Sequence, residues 1–464
     1  MSTTDSRRIL VTELVKCVGP SSVLTDASDV WAYGQDNSRK HVKPAAVVLA
    51  EHSEHVAAVI KRCHQLEVPV TVRGRGTGTA GGAIPSPDGI VLSLERMDRI
   101  LRVDGANRFA EVEAGVLNQN LQDAVFSQGF FWPPDPTSAA FCTIGGNIAV
   151  NSAGPRALKY GTTRDNVLGL KAITGTGDEI HTGVYTTKGV VGYDLTRLII
   201  GSEGTLAVVT EAILKLVPLP ETTHLLQAVY RDITSATEAI VAIMAQANIP
   251  RSLEFMDQAS LDMVRNYSKA ELPTQAGAML LIEADGPCAA IGSISESISL
   301  AASNNGLVAL ARAETREQID ALWATRKALS PALKNVAPNK LNEDVVVPVS
   351  NIPDLILGLK RISEHYQIPI VNFGHAGNGN IHVNLLYDSQ DPKQAQQARP
   401  CLDQVFDLVL RLDGTLSGEH GIGTEKRDYI NREIDPATLD LMQRIKSQFD
   451  PGNILNPGKI FPVA

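Results

Sequence analysis

Two histidines stand close together in Asn372-Phe-Gly-His375-Ala-Gly-Asn-Gly-Asn-Ile-His382-Val-Asn384. The alternation of Asn380–Leu386 reads as a strand, with His382 and Asn384 on one face and Ile381, Val383 and Leu385 on the other. Gly374, Gly377 and Gly379 let the chain double back and bring His375 beside His382. Two imidazoles so placed suit a divalent transition metal. Farther on, Asp413-Gly-Thr-Leu-Ser-Gly-Glu419-His420-Gly-Ile-Gly423 frees two adjacent polar side chains from regular structure. Glu419 offers a carboxylate to complete a His/His/carboxylate site with open positions, and His420 a base beside it. A cation is expected as well. Thr315-Arg-Glu-Gln318 has capping-box spacing, and along the helix it opens, Ile319, Leu322, Trp323, Arg326, Ser330 and Leu333 share one face. An arginine on an apolar face needs an anion, and a substrate carboxylate matches its fork. Taken singly, each piece has a plainer explanation: a solvated histidine pair, a solvated loop, or an internal ion pair or snorkelling side chain for Arg326. The set also admits a metal-dependent hydrolase in which metal and base activate water.

A second kind of chemistry is written in glycine. Val70-Thr-Val-Arg-Gly-Arg-Gly-Thr-Gly-Thr-Ala-Gly-Gly82 is an apolar strand running into a loop of mostly glycine. Its amides can converge on a phosphate or pyrophosphate. Gly76–Gly81 spells GxGxxG, but Pro85 and Pro87 follow at once, and no useful helix fits before the next strand, Gly89–Leu94. A nicotinamide Rossmann site is therefore excluded. Phe131-Trp-Pro-Pro-Asp-Pro-Thr opens a stiff segment that is expected to stay non-helical through the pair Gly145-Gly146 and Asn147. A third element, Leu198-Ile-Ile-Gly-Ser-Glu-Gly-Thr-Leu206, is expected between two apolar strands. Three glycine elements, each fed by a strand, predict one large ligand threaded along one domain. The hydrolase alternative leaves them unexplained.

The elements that must position these residues divide at Val217-Pro-Leu-Pro220. Before it, strands Pro44–Ala50 and Val68–Val72 flank a helix with Val56, Val59, Ile60 and Cys63 on one face, a βαβ unit that delivers the first glycine loop. After it, strands beginning near His224, Ser252, Ala278 and Leu307 alternate with helices. They predict an α+β layer, mostly antiparallel, with helices on one face. The tail Phe449–Phe461 is turn-rich yet carries large apolar residues, so it is expected to pack back on the body.

Composition narrows the classes. At 464 residues the chain can build two sizeable cores, and 44% hydrophobic with 20% charged residues is ordinary for a globular protein. A formal net charge of −9 excludes non-specific binding to nucleic acid and leaves no basic face for anionic lipid. No apolar run is long enough for a transmembrane segment, and the first residues lack the apolar core of a signal peptide. Cys17, Cys63, Cys142, Cys288 and Cys401 are scattered, without CxxC spacing. That predicts a reducing compartment, with no iron–sulfur cluster or zinc knuckle. The expected location is cytoplasmic, with any membrane contact peripheral, at the inner membrane.

Taken together, the Arg73–Gly82 loop, Pro134-Asp-Pro-Thr with Ile144-Gly-Gly-Asn147, Gly201-Ser-Glu-Gly-Thr205, His375 and His382, Glu419-His420 and Asn456-Pro-Gly458 carry a resemblance over nearly the whole chain. The sequence resembles the FAD-dependent D-2-hydroxy-acid dehydrogenases of the vanillyl-alcohol-oxidase-like flavoproteins. That group includes D-lactate dehydrogenases of the cytochrome- or quinone-linked type and glycolate oxidase D subunits. The resemblance implies a two-part FAD-binding domain over residues 1–219 and an α+β substrate and metal domain with a mostly antiparallel sheet over 220–424. A C-terminal segment, 425–464, would return to the FAD domain. It implies FAD against Arg73, Gly74, Gly76, Thr77, Gly78, Gly82, Pro134, Asp135, Gly145, Asn147, Gly204 and Asn456. The loop holds no histidine, so the flavin is expected to be non-covalent. His375, His382 and Glu419 would be the metal ligands, for zinc or manganese. His420 would be the base, Arg326 and Lys340 would hold substrate oxygens, and Asn384 would stand nearby. The implied reaction is metal-assisted proton abstraction and hydride transfer to flavin N5, with D-lactate to pyruvate as first choice and D-2-hydroxyglutarate or glycolate behind it. Trp132 and Trp323 near the pocket would favour a small or hydrophobic acid. Electrons would pass to quinone, a cytochrome or an electron-transfer flavoprotein. A homodimer and a non-catalytic flavin-binding subunit are both compatible, though a scaffold has no need of the metal and base set.

Overall fold

A computed structural model describes residues 3–267 and 275–462. The chain forms two units. One runs to Gly154 and continues through Gly161–Leu219 and from Glu419 onward. The other comprises Pro155–Tyr160 and Pro220–Gly418.

In the first unit, strands Ala46–Leu49, Ile90–Ser93 and Val70–Arg73 are parallel neighbours in that order. Val23–Leu24 adds an antiparallel edge. Ala46–Leu49 and Ile90–Ser93 are buried throughout, as parallel strands covered on both faces must be. Helix Ser53–Leu66 buries Val56, Val59, Ile60 and Cys63, the four positions its periodicity picks out, in one cluster with Leu10, Leu14 and Val18 of helix Thr3–Val18. At about 1.5–3 kcal/mol per large apolar side chain, that stripe holds the helix down more firmly than its own propensity does. Val70–Arg73 would be an open edge, but the tail covers it. Val70 N–H donates to the Ile454 carbonyl at 2.8 Å and receives Asn456 N–H on its own carbonyl at 2.9 Å.

A second sheet of this unit is antiparallel, in the order Ile100–Asp104, Phe109–Glu113, Ala207–Lys215, Val167–Thr174, Glu179–Gly183. Trp132 lies in its core with Leu121, Val125, Ile144 and Ile148, fully buried, its Nε1 donating to the Asn166 carbonyl at 3.1 Å. The expectation that Trp132 lines a pocket is therefore corrected: it is a core residue with a satisfied N–H. Two glycine elements also differ from expectation. Gly145 and Gly146 lie inside helix Ile144–Val150, because Thr143 caps it, its hydroxyl accepting Gly146 N–H at 3.2 Å. Helix Leu195–Ile199, capped by Asp194, precedes Gly201 where a strand was expected. Only the first glycine loop is fed by a strand. Between Val70–Arg73 and Ile90–Ser93 there is no helix, as Pro85 and Pro87 require.

The second unit is a seven-stranded sheet, antiparallel at every pairing, in the order Leu307–Ala313, Thr222–Tyr230, Ala278–Gly286, Ser252–Asp257, Ile370–His375, Asn380–Tyr387, Asn339–Val346. Helices cover both faces, not one. On one side, helix Ile291–Ala302 meets the sheet through His224 with Ser295 and Tyr230 with the Ala302 carbonyl. On the other, helices Gln258–Tyr267 and Arg316–Val336 pack over Leu225, Met256, Met279, Leu281, Val371 and Phe373. The second helix layer exists because that sheet face is apolar at its centre and would otherwise lie open. Among the described residues, no helix is long and apolar enough to cross a membrane.

Candidate active site

Strand register decides which side chains of the second unit meet. Glu254 lies opposite His375, Phe373 opposite His382, and Val371 opposite Asn384. Across the next ladder Asp344 faces His382 and Asn342 faces Asn384. Period-two alternation therefore gathers Glu254, His375, His382, Asn384, Asn342 and Asp344 on one sheet face. Helix Arg316–Val336 covers that same face, and its capping box at Thr315 and Gln318 is present as the spacing predicts.

The His375 and His382 rings stand 5.1 Å apart, nearly perpendicular. The turn between them depends on Gly379, whose φ of +76° and contact with the Val347 carbonyl leave no room for a Cβ. Glu254, 1% exposed, bridges this pair to the helix. One oxygen bonds His375 Nδ1, and the other accepts Arg326 Nε at 2.7 Å. The Arg326 guanidinium also lies over the Phe373 ring, 4.7 Å from its centroid. Burial works against ionising Glu254, but the charges and hydrogen bonds of His375 and Arg326 outweigh it and hold the carboxyl below its ordinary range. Arg326 thus has an internal partner, as the plainer reading had it. Because that partner takes only Nε, the terminal amino groups are the part suited to a second carboxylate. Asn384 is fully buried, and its Nδ2 donates to the Val371 and His382 carbonyls. Those carbonyls can only accept, which fixes the amide orientation. Oδ1 then has no hydrogen-bond partner among the described residues. An orphaned buried oxygen two residues from His382 suits a bound cation or hydroxyl. Lys340 shares this face but stands opposite Leu386, one same-face step beyond Asn384, about 7 Å along the strand.

Buried Asp344 accepts Ser417 Oγ at 3.1 Å and Gly418 N–H at 2.9 Å, fastening the chain just before Glu419. From Glu419 the chain belongs to the first unit. There the Glu419 carboxylate accepts Gly154 N–H at 2.8 Å. His420 and Gly421 follow, shaped by Glu203, whose carboxylate accepts Ile422 N–H at 2.7 Å and Gly423 N–H at 2.8 Å. Burial raises the Glu203 carboxyl, with those amides, Lys459 and Lys426 opposing.

The glycine loop of the first unit has a distinctive accounting. Among the described residues, no backbone amide from Gly74 to Gly82 donates a hydrogen bond within the protein. The carbonyls of Thr77 and Gly78 are the groups engaged, receiving Asn37 Nδ2 at 3.0 Å and Asn37 N–H at 2.9 Å. Nothing lies within 4 Å of where a Gly78 Cβ would stand. A run of unspent N–H donors beside open space fits a pyrophosphate. The other residues expected at a flavin divide by role. Arg73 turns inward, 8% exposed, donating to the Gln35 carbonyl at 2.7 Å and the Ala32 carbonyl at 3.3 Å. Asn147 braces its own loop, taking Asn118 Nδ2 at 3.1 Å and donating to Ser152 Oγ at 3.3 Å. Asn118 Nδ2 also holds the Pro134 carbonyl at 3.1 Å, and Asp135 N–H donates to Ala153. Gly145 presses against Ala114, a Cβ there coming within 2.8 Å of it. Asn456 ties Gly204's neighbour to the loop strand, donating to the Glu203 carbonyl at 2.6 Å and accepting Val72 N–H at 3.1 Å.

Sequence reasoning missed Glu254, Asp344 and Glu203. Glu254 left a signal: a lone acid inside Ser252-Leu-Glu-Phe-Met, a run otherwise fit for full burial, must find a partner.

Comparison with known proteins agrees with both units. Residues 44–183 match the FAD binding domain family, and residues 219–460 match the C-terminal domain of FAD linked oxidases. The chain is 39% identical over 450 residues to glycolate oxidase subunit GlcD of Bacillus subtilis (strain 168), covering 97% of this chain and 96% of that one. It is 34% identical over 458 residues to a D-lactate dehydrogenase of Anaerostipes hadrus, covering 97% and 96%. In fold it is similar to p-cresol methylhydroxylase, with a TM-score of 0.82 at 18% identity, covering 99% and 98%. The two family matches together run from residue 44 to 460, with relatives above 30% identity over nearly the full length, and the chain belongs to the FAD-linked oxidases.

Proposed function

We propose that this oxidoreductase converts a D-2-hydroxy acid to the 2-oxo acid, D-lactate to pyruvate foremost, and passes the electrons to quinone, a cytochrome or an electron-transfer flavoprotein. The observation that carries the reading is the sheet face where His375 and His382 stand 5.1 Å apart beside the orphaned Asn384 Oδ1. The printed names of the relatives, glycolate oxidase subunit and D-lactate dehydrogenase, point to the same substrate class.

In this reading FAD lies on the Gly74–Gly82 amides, and His375, His382 and Glu419 hold zinc or manganese. When bound, the flavin supplies a two-electron acceptor and the metal a Lewis acid for the substrate hydroxyl. The protein's own residues do the rest. The terminal amino groups of Arg326 hold the substrate carboxylate, and Lys340 a further oxygen. Asn384 Oδ1 stands nearby on the same sheet face as an uncommitted acceptor. His420 takes the hydroxyl proton. With the carboxylate held by Arg326 and Lys340 and the hydroxyl at the metal and base, one face of Cα is presented. These groups recognise the hydroxyl and carboxylate common to D-lactate, glycolate and D-2-hydroxyglutarate, so the assay separates the three. A hydrolase has no use for the amide cradle.

Anaerobic bleaching of the flavin tests this directly. The purified protein is mixed with D-lactate, L-lactate, glycolate and D-2-hydroxyglutarate in turn, with and without prior chelation. Rapid bleaching by D-lactate, lost on chelation and restored by Zn²⁺ or Mn²⁺, is expected. Bleaching by another of these acids alone moves the substrate, bleaching that survives chelation removes the metal, and a protein that binds no FAD on reconstitution rejects the reading.

A further inference from the structure

Glu254 divides its two oxygens between partners that the proposed function treats as separate instruments. Oε1 bonds His375 Nδ1 and Oε2 accepts Arg326 Nε at 2.7 Å. A carboxylate only accepts, so His375 carries a proton on Nδ1, which leaves Nε2 as the nitrogen that would take a metal. With Nε of Arg326 spent, a substrate carboxylate meets the guanidinium end-on, through the two terminal amino groups. Phe373, two residues before His375 on the same strand, lies beneath the guanidinium and limits its swing. Nothing softens the coupling: Glu254 is 1% exposed and sits on a strand paired on both sides.

We propose that Glu254 is a positioning residue that ties the metal-binding imidazole of His375 and the carboxylate-binding guanidinium of Arg326 to one buried anion, so that metal affinity and substrate affinity rise and fall together. The inference rests on the proposed metal site and deepens it: the divalent cation and the substrate carboxylate share a single support. Outer partners of ligating histidines carry about 10–100-fold in metal affinity, and removing this one disturbs the arginine as well.

The test compares wild type with Glu254→Gln and Glu254→Asp as FAD-loaded, metal-stripped proteins. Zn²⁺ affinity is measured by competition with a chromophoric chelator, and KM and kcat are measured for whichever 2-hydroxy acid bleaches the flavin. Glu254→Gln is expected to weaken Zn²⁺ by about 10–100-fold and to raise KM, with FAD content unchanged. Glu254→Asp keeps the charge on a shorter arm and is expected to recover part of both losses. It also serves as the probe if Glu254→Gln fails to fold. Unchanged Zn²⁺ affinity, or a loss in one quantity without the other, overturns the proposal and leaves the proposed function standing. A wild-type protein that takes up no Zn²⁺ overturns the metal reading and the inference with it.

Discussion

A thiol reacts as its thiolate, so burial sorts the five cysteines by chemistry. Cys288 is exposed, Cys17 is half-buried, and Cys63, Cys142 and Cys401 are buried. Burial pushes Cys63 and Cys401 up to about 12, and raises Cys142 and Cys17 as well. A chromogenic disulfide at pH 8 is therefore expected to modify one thiol quickly in the native protein and all five in denaturant. Two or more fast native thiols would contradict the burial pattern. At this scale the sequence is legible where the signal is local. His375, His382 and Asn384 lie within one glycine turn and one alternating strand, and the structure brings their strands together as the spacing predicts. Glu254 signalled only that it needs a partner; which partners was out of reach, because they are 72 and 121 residues away. Trp132 was misread for a related reason: the sequence shows a bulky ring beside prolines but not which way it turns.

Elements carry the proposed flavin site through their ends. The strand Val70–Arg73 keeps its place because the tail lies along it, and one side chain locks that arrangement: Asn456, 3% exposed, binds Glu203's carbonyl and Val72's amide at once. Its Oδ1 also accepts Lys459 Nζ at 3.2 Å, and three buried hydrogen bonds lost together cost about 2–4 kcal/mol. Asn456→Ala is expected to lower the thermal midpoint and to weaken FAD binding by at least tenfold, read by flavin fluorescence on titration, while Zn²⁺ binding is unchanged. Loss of stability with full FAD affinity would mean the tail braces the strand without shaping the loop. Element types were readable wherever periodicity was long, as in helix Ser53–Leu66 and the strands after Thr222. They were misread where a short helix hides behind glycine. Ile144-Gly-Gly-Asn looks like a loop by propensity, but Thr143 caps it and the glycines let it press on Ala114. The second helix layer of the seven-stranded sheet was missed because a count of alternating strands does not say which face stays open.

For the molecule as a whole, the most distinctive titration lies in the tail. Lys459 is 2% exposed, and its ammonium reaches Asn456 Oδ1 at 3.2 Å. Burial pushes it down to about 7, against the pull of Glu203 and Asp36. A lysine in the unfolded chain holds its proton to about pH 10.4. Between pH 7 and 10 the unfolded chain therefore binds more protons than the folded one, and raising the pH favours folding. Below pH 7 both states hold the proton, this contribution to the slope vanishes, and the cost of burying the charge stands in full. That cost is of the order of 4 kcal/mol at its limit. Lys459→Met keeps the length of the side chain and removes the titration. Relative to wild type it is expected to be more stable at pH 6–7, with the gap closing as the pH rises towards 10. Unfolding of the flavin-free protein at a series of pH values measures the gap directly. Glu203 loses the opposing charge of Lys459 in the variant, so the gap is read as its change from pH 7 towards 10 and not from its value at one acidic pH. A gap that is constant across pH would mean that Lys459 stays charged in the folded chain, held by Glu203 and Asp36 as an ion cluster. A gap that closes would mean that the protein buries a nearly neutral amine beside the strand that feeds its glycine loop.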